Sequence, residues 1–280
     1  MNIKSVKYRI KQLMLSPLPI RVQLAVLVMK KFKLGGFRLR LRLDAVPYPA
    51  YAYGMLSAAI QAKEIGLTRI SAIEFGVAGG NGMLAMQDLA KEIENETGVT
   101  FELFGFDSGS GLPLTSDYRD QLYFWSNGSF PMDIVALRAR LNRSVLILGD
   151  VAETTTTFFN IYNPPPIGFM AFDLDYYSST KSAFNIFNNI QDFFLPRVEC
   201  YMDDVSSYEV LSASTGTGVL RAIHEFNSES DTKILKKEQV SRFRHFVSGW
   251  NDCMYVHHNF NHINYSTYVA KSYNMKMDLE

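Results

Sequence analysis

Residues 73–82 read IEFGVAGGNG, a run in which an apolar segment passes through Glu74 into four glycines within seven positions. Glycine permits positive φ and lets another group approach the backbone closely. The apolar residues 70–75 predict a buried strand, and the residues after Asn81 have helical spacing. A bare turn between a strand and a helix is typical of a nucleotide-like cofactor site, so this stretch predicts an α/β fold that holds such a site.

Further apolar segments recur along the chain, and acidic residues stand at their carboxyl ends. They are residues 101–106, 144–148, 168–174 and 198–202. Helical patterns separate them, which predicts a doubly wound, mostly parallel, Rossmann-like sheet of seven strands with helices on both faces. Residues 242–248 and 254–260 predict a terminal antiparallel strand pair. Ligands of such sheets bind at the carboxyl ends of the strands, where the acidic residues stand here.

Charge is unevenly distributed, although the 28 basic and 28 acidic residues cancel. Residues 1–43 contain eleven basic residues and no acidic one. We interpret residues 1–45 as a basic, mainly helical arm, extended around residues 37–43, and residues 46–280 as the main domain. The arm is expected to pack on the body or on a second subunit, which suggests a homo-oligomer. The alternative is contact with an anionic surface such as lipid head groups.

Targeting signals are weak in this sequence. The apolar run of residues 22–29 is shorter than the roughly 20 residues that span a bilayer, and no cleavage site of a signal peptide follows it. Cys200 and Cys253 are expected to be buried thiols in a reducing compartment. We therefore predict a cytoplasmic protein without a transmembrane segment.

The glycine spacing distinguishes two classes of cofactor site. A dinucleotide site begins with Gly-x-Gly, which is absent, whereas Glu74 stands two residues before Gly76. An acid there suits S-adenosylmethionine (SAM), whose sulfonium and amino groups are positive. Asp107 could accept both ribose hydroxyls, and Asp150 could reach the adenine amino group or only cap the next helix. The predicted cofactor-binding residues are Glu74, Gly76, Gly79, Gly80, Asn81, Asp107, Ser108 and Asp150.

Four stretches, EFGVAGGNG, FDSGSGLP, FDLDYYSST and MDDV, resemble class I SAM-dependent methyltransferases. Their order is similar to that of the macrocin O-methyltransferase-like enzymes, which act on antibiotic sugars. The matching parts are residues 107–113, residues 173–180 and the pair Asp203-Asp204, and the resemblance covers roughly residues 47–265. It implies a methyltransferase domain over residues 46–280, SAM as cofactor, bound Mg²⁺ and methylation of a hydroxyl group.

Four aspartates follow two strands that this fold makes neighbours: Asp173, Asp175, Asp203 and Asp204. Clustered carboxylates repel one another without a cation, and Mg²⁺ prefers oxygen ligands. We assign Asp173, Asp203 and Asp204 as metal ligands. Asp173 and Asp175 are the predicted catalytic residues, with Asp175 as a further ligand or the general base. The alternative is that some of the four only cap helices.

These observations predict a SAM-dependent, Mg²⁺-assisted O-methyltransferase acting on a sugar or a similar polar small molecule. A phenol, catechol or amine acceptor and a non-catalytic protein of this fold at a membrane surface remain alternatives. Residues 163–166, NPPP, are similar to the motif of methylases that hold a flipped base, but lack its aromatic residue, so no nucleic-acid partner is predicted. His257, His258 and His262 are candidates for the acceptor pocket or for packing.

Overall fold

A single sheet of seven strands organises residues 20–240 and 248–270, the part of the chain that the computed structural model describes. The strands are β1 Arg69–Phe75, β2 Thr100–Asp107, β3 Ser144–Leu148, β4 Ile167–Phe172, β5 Phe194–Met202, β6 Lys233–Lys237 and β7 Met254–Asn259. Their order is β3-β2-β1-β4-β5-β7-β6. Pairing is parallel from β3 to β5, and β7 is antiparallel to both β5 and β6. The predicted fold class is confirmed.

Helices connect the strands and cover the sheet. They are α1 Ile20–Phe32, α2 Phe37–Arg42, α3 Pro49–Glu64, α4 Asn81–Thr97, α5 Ile134–Arg138, α6 Val151–Tyr162, α7 Tyr177–Ala183 and α8 Gly218–Glu229. Short 3₁₀ turns include residues 118–120 and 203–205. Helix α4 begins directly after residues 76–80, which we call the glycine-rich loop and which follow the carboxyl end of β1.

Alternation along the central strands divides the core between the two faces of the sheet. Ile70 and Ala72 of β1 pack in the cluster that α3 and α4 cover, whereas Ile73 and Phe75 pack in the opposite cluster. Such two-sided burial is what a central parallel strand requires. The Phe75 ring stacks between Phe106 of β2 and Phe172 of β4, with ring centroids 4.8 and 5.0 Å apart. This stack fixes the strand ends that carry the candidate site.

One local prediction is wrong. Residues 37–43 were expected to be extended, because FRLRLR alternates apolar and basic residues. They form helix α2, whose buried residues Phe37, Arg40 and Leu41 have helical spacing. The predicted strand at residues 242–248 lies outside the described residues except for its last position, so it stays a prediction, and in the described part of the chain the strand that pairs antiparallel with β7 at the sheet edge is β6, residues 233–237. β6 reads KILKK, and only Leu235 is buried, so its hydrophobic signal is weak.

The described part of the basic arm packs on the body through ion pairs. Lys33 Nζ lies 3.0 Å from Glu92 and Arg38 Nε lies 2.8 Å from Glu96, while the buried Arg40 also pairs with Glu92. Residues 1–19 lie outside the described part. Within residues 20–240 and 248–270, no helix has the length and apolar character needed to cross a membrane. Cys200 and Cys253 are both free and buried.

Candidate active site

A cavity of about 600 Å³ opens at the carboxyl edge of the parallel strands. Its volume is typical of a site for a cofactor or small molecule. The predicted residues that line it are Gly76, Asp107, Ser108, Asp150, Asp173, Asp175, Asp203 and Asp204. Glu74, Gly79, Gly80 and Asn81 are all described but do not line it. The fold thus gathers the acidic strand ends in one cavity and leaves part of the glycine-rich loop outside it.

The glycines make room for other parts of the protein. Gly76 has φ of +84°, and a Cβ atom there would lie 1.7 Å from the backbone oxygen of Asp173. A Cβ atom on Gly82 would lie 1.7 Å from Oε1 of Glu74. Gly79 has no such neighbour within 4 Å. The bare backbone therefore allows the β1 and β4 loops to meet, and it leaves Gly76 at the cavity wall.

Glu74 lies behind this loop. Its side chain is buried, and its Oε1 accepts a hydrogen bond of 2.7 Å from the Tyr51 hydroxyl of α3. Burial raises the pKa of Glu74 to about 8. The Glu74 carboxyl therefore lies between α3 and the start of α4, on the face of the sheet that α3 covers.

We expect Glu74 to make the protein less stable as pH rises. A carboxyl whose folded pKa is raised contributes its full stability below the unfolded pKa, near 4.5, and loses it as pH approaches 8. The Glu74→Gln variant should lack this loss. Its free energy of unfolding relative to that of wild type should therefore rise by at least about 1 kcal/mol between pH 5 and pH 8. Urea denaturation without cofactor measures it. Exposed Glu153→Gln is the control, and an equal gain there would contradict the assignment.

Asp107 holds the glycine-rich loop against the end of β2. Its Oδ2 accepts hydrogen bonds from the N–H groups of Val77 and Ala78, at 2.9 and 2.8 Å. Its Oδ1 accepts one of 2.6 Å from Gly109. A carboxylate offers about four lone-pair sites, so Asp107 retains acceptor capacity towards the cavity that it lines. The neighbouring Ser108 hydroxyl donates to the Gly111 carbonyl and so shapes the following loop.

Asp150 caps helix α6. Its Oδ1 accepts a hydrogen bond of 2.7 Å from the Ala152 N–H, and the residue also lines the cavity. Both alternatives foreseen for it, a cofactor contact and a cap, are therefore compatible with its position.

The cap allows a direct test on stability. Asp150→Ala should lower the free energy of unfolding by about 1 kcal/mol, because an N–H group at the start of α6 loses its acceptor. Asp150→Asn should restore most of that loss, since asparagine caps equally well. Urea denaturation without cofactor provides the measurement. Equal stability of the alanine variant and wild type would show that the cap contributes nothing.

Three of the four clustered aspartates meet closely enough to share one cation. Asp173, Asp203 and Asp204 each offer a carboxylate oxygen, and these three atoms lie within 4.8 Å of one another. Burial, followed by the charges of Asp203 and Asp204, raises the pKa of Asp173 to about 9. Burial also raises the pKa of Asp204 well above its usual range. Carboxyls that resist ionisation together are the donor set that a divalent cation would satisfy.

Asp175 stands beside this trio, in a different geometry. β4 ends at Phe172, so Asp173, Leu174 and Asp175 follow the strand rather than continue it. Asp175 has φ of +58°, a left-handed conformation that non-glycine residues adopt at a cost. Its N–H donates to Oδ2 of Asp204 at 3.0 Å. Burial, then the charge of Asp173, raises its pKa to about 7.

Asp120 is an important residue that the sequence did not reveal. It is fully buried and accepts hydrogen bonds from the Thr115 hydroxyl at 2.7 Å and from the N–H and hydroxyl of Ser178, at 2.7 and 2.8 Å. It thereby ties the segment 108–130, which lines the cavity, to the start of α7. No local motif marks it, because its partner Ser178 is 58 residues away.

The three candidate histidines are away from the cavity. His257 is buried and stacks on Phe187 with ring centroids 3.9 Å apart, and burial lowers its pKa to about 3. His258 Nδ1 lies 2.7 Å from the Tyr265 hydroxyl. His262 Nδ1 accepts from the Asn264 N–H at 3.0 Å. All three belong to packing around β7 and the residues after it.

Comparison with known proteins supports the fold. No family model and no curated protein matches the chain. Among solved structures, the O-methyltransferase NovP is 13% identical with a TM-score of 0.50, over 86% of this chain and 98% of NovP. The calicheamicin methyltransferase CalS11 is 20% identical with a TM-score of 0.42, over 71% and 76%. TomG from Streptomyces achromogenes, in complex with SAM, is 13% identical with a TM-score of 0.43, over 90% and 94%. Strand order and the likeness to NovP together show that this chain has the fold of class I SAM-dependent methyltransferases, as its motifs predicted.

Proposed function

We propose that the protein is a SAM-dependent O-methyltransferase that transfers a methyl group to a hydroxyl of a sugar or similar polar small molecule, assisted by Mg²⁺. The observation that carries the proposal is the meeting of Asp173, Asp203 and Asp204 at the edge of a cavity that Asp107 and Gly76 also line. The residues proposed to bind the cofactor and the cation thus line the same cavity, an arrangement that supports metal-assisted group transfer.

The residues fit SAM in its charge and shape. In this proposal Asp107 accepts the ribose hydroxyls, since its carboxylate keeps free lone pairs, and the backbone at Gly76 contacts the methionine end. Asp150 accepts from the adenine amino group while it caps α6. Glu74 would act indirectly, because it contacts Tyr51 of α3 and lies beside Gly82 of α4, outside the cavity. Gly79, Gly80 and Asn81 shape the turn into α4.

The acidic trio fits Mg²⁺. Asp173, Asp203 and Asp204 would hold it, and when bound it would lower the pKa of an acceptor hydroxyl. Asp175 would then take the hydroxyl proton, because it lies next to the trio and lines the same cavity. The oxygen attacks the methyl carbon, the carbon–sulfur bond breaks, and S-adenosylhomocysteine (SAH) leaves with the bonding electrons. The protein would contribute to this reaction by aligning the acceptor with the methyl group and by removing the hydroxyl proton.

The walls near the trio suit a polar ring. Ser178, Ser179 and Ser182 contribute hydroxyls, and Trp125 and Tyr208 contribute aromatic faces. The Tyr208 ring is itself stacked on Phe124, with centroids 6.0 Å apart and planes at 7°. Hydroxyls that exchange hydrogen bonds and flat apolar faces are complementary to the two kinds of surface on a sugar ring. This lining favours a sugar-like acceptor.

Calorimetric titration with SAH, with and without Mg²⁺, is the first test of the proposal. We expect micromolar binding, followed by Mg²⁺-dependent formation of SAH from SAM when a panel of glycosides is supplied. A lack of SAH binding under both conditions would contradict the methyltransferase proposal. SAH binding without turnover on glycosides, but with turnover on catechols or amines, would replace the proposed acceptor class.

A further inference from the structure

Helix α1 is apolar on the side that faces away from the body. Ile20, Leu24, Leu27, Val28 and Phe32 are each between 47% and 66% exposed. They stand at positions i, i+4, i+7, i+8 and i+12, which places them on one side of the helix. The opposite side packs inward through half-buried or buried side chains at positions 22, 23, 26 and 29. A surface helix normally turns polar residues outward, so this face is built to be covered.

Cations surround the exposed face of α1. Arg21, Lys30 and Lys31 are exposed and have no carboxylate partner within residues 20–240 and 248–270. The cations nearer the body differ, because Lys33, Arg38 and Arg40 are paired with α4. The exposed face therefore combines apolar side chains with positive charge that the body leaves unneutralised.

Charge decides between the occupants that could cover α1. Residues 1–19 contain Lys4, Lys7, Arg9 and Lys11 and no acid, so they would add positive charge to the face. A second copy that pairs the same face would bring the same cations into opposition. An anionic bilayer accepts both features, because apolar side chains enter the boundary of its acyl chains while Lys and Arg reach the phosphates.

We propose that the outward face of α1 binds the surface of membranes that contain anionic phospholipid. The helix is 13 residues long and would lie along the surface rather than cross the bilayer. The ion pairs of Lys33, Arg38 and Arg40 to α4 hold the neighbouring segment to the main domain, so binding through α1 would bring that domain to the membrane. This inference does not depend on the proposed methyl transfer.

The test uses the full chain and vesicles of phosphatidylcholine with or without phosphatidylserine. We expect co-sedimentation with the phosphatidylserine vesicles that weakens as salt rises. The double variant Leu24→Ser/Val28→Ser and the double variant Lys30→Gln/Lys31→Gln should each bind on the order of tenfold more weakly or worse. The matched controls are Val135→Ser/Ile161→Ser for exposed apolar residues and Lys63→Gln/Lys236→Gln for exposed lysines, and both should bind as wild type.

Several results would overturn the proposal. They are an absence of vesicle binding, equal binding to both kinds of vesicle, and loss of binding in the control variants as large as in the α1 variants. Light scattering tests the competing occupant: an oligomer that Leu24→Ser/Val28→Ser dissociates would assign the face to a second copy. Circular dichroism and a urea denaturation midpoint that match wild type would show that the variants remain folded.

Discussion

Asp173→Asn is expected to lower the affinity for Mg²⁺ by at least about a hundredfold and the rate of methyl transfer by about a thousandfold or more. Loss of a residue that merely supports a metal ligand already costs about 10–100-fold in affinity, and loss of a ligand should cost more. The rate falls further because activation of the acceptor hydroxyl is lost. SAH affinity without metal should stay near that of wild type. Calorimetry with Mg²⁺ and initial rates of SAH formation measure the effects.

Asp175→Asn separates metal binding from proton removal. Asp175 lies outside the trio of proposed metal ligands, so this variant should retain most of the Mg²⁺ affinity and lose rate. Exposed Asp231→Asn is the control for removal of one negative charge and should change neither property. Mg²⁺ affinity that is equal in Asp173→Asn and wild type would show that the trio does not hold the cation.

Asp107→Ala is expected to weaken SAH binding by about a hundredfold or more. A hydrogen bond to a charged group contributes about 1.5–3 kcal/mol, and two ribose hydroxyls are proposed to share this carboxylate. The substitution also removes the acceptor for the N–H groups of Val77, Ala78 and Gly109, which should loosen the loop that is proposed to contact the cofactor. Calorimetric titration with SAH in the absence of metal measures the loss.

Asp133→Ala provides the matched control for Asp107→Ala. Asp133 also accepts a backbone hydrogen bond, from Ala136, but it does not line the cavity. Its loss should lower stability slightly and leave SAH binding unchanged. An Asp107→Ala variant that binds SAH like wild type would remove the ribose contact from the proposal.

The central strands of the fold were predictable because local hydrophobic patterns in the sequence determine them. The strands that end near Glu74, Asp107 and Asp173 are short apolar runs, and burial on both faces makes such runs apolar throughout. Helix α2 was not predictable in this way. Its alternating FRLRLR pattern favours a strand, and it is the buried pairing of Arg40 with Glu92, 52 residues away, that accommodates a helix. Tertiary contacts outweighed local preference there.

The candidate site likewise contains residues that local patterns predicted and residues that depend on tertiary contacts. Residues at strand ends could be assigned to the cavity because topology alone brings strand ends together. The roles of Glu74 and Gly82 could not be foreseen, since their proximity depends on how β1 and α4 pack. The position of Asp120 could not be predicted either. Its partners Thr115 and Ser178 belong to a loop and a helix end, and no sequence periodicity encodes their relative position.

The hydrogen bonds of Asp120 have a consequence for the ligand selectivity of the cavity. Thr115, Ser178 and the neighbouring bond of 2.8 Å from Arg119 to the Tyr177 hydroxyl hold the middle of the segment 108–130 in place. Swinging that middle outward would break all of these contacts at once. We therefore expect the segment 108–130 to keep its position when a ligand binds. The size of a molecule, rather than a movement of this segment, would then determine whether it fits the cavity.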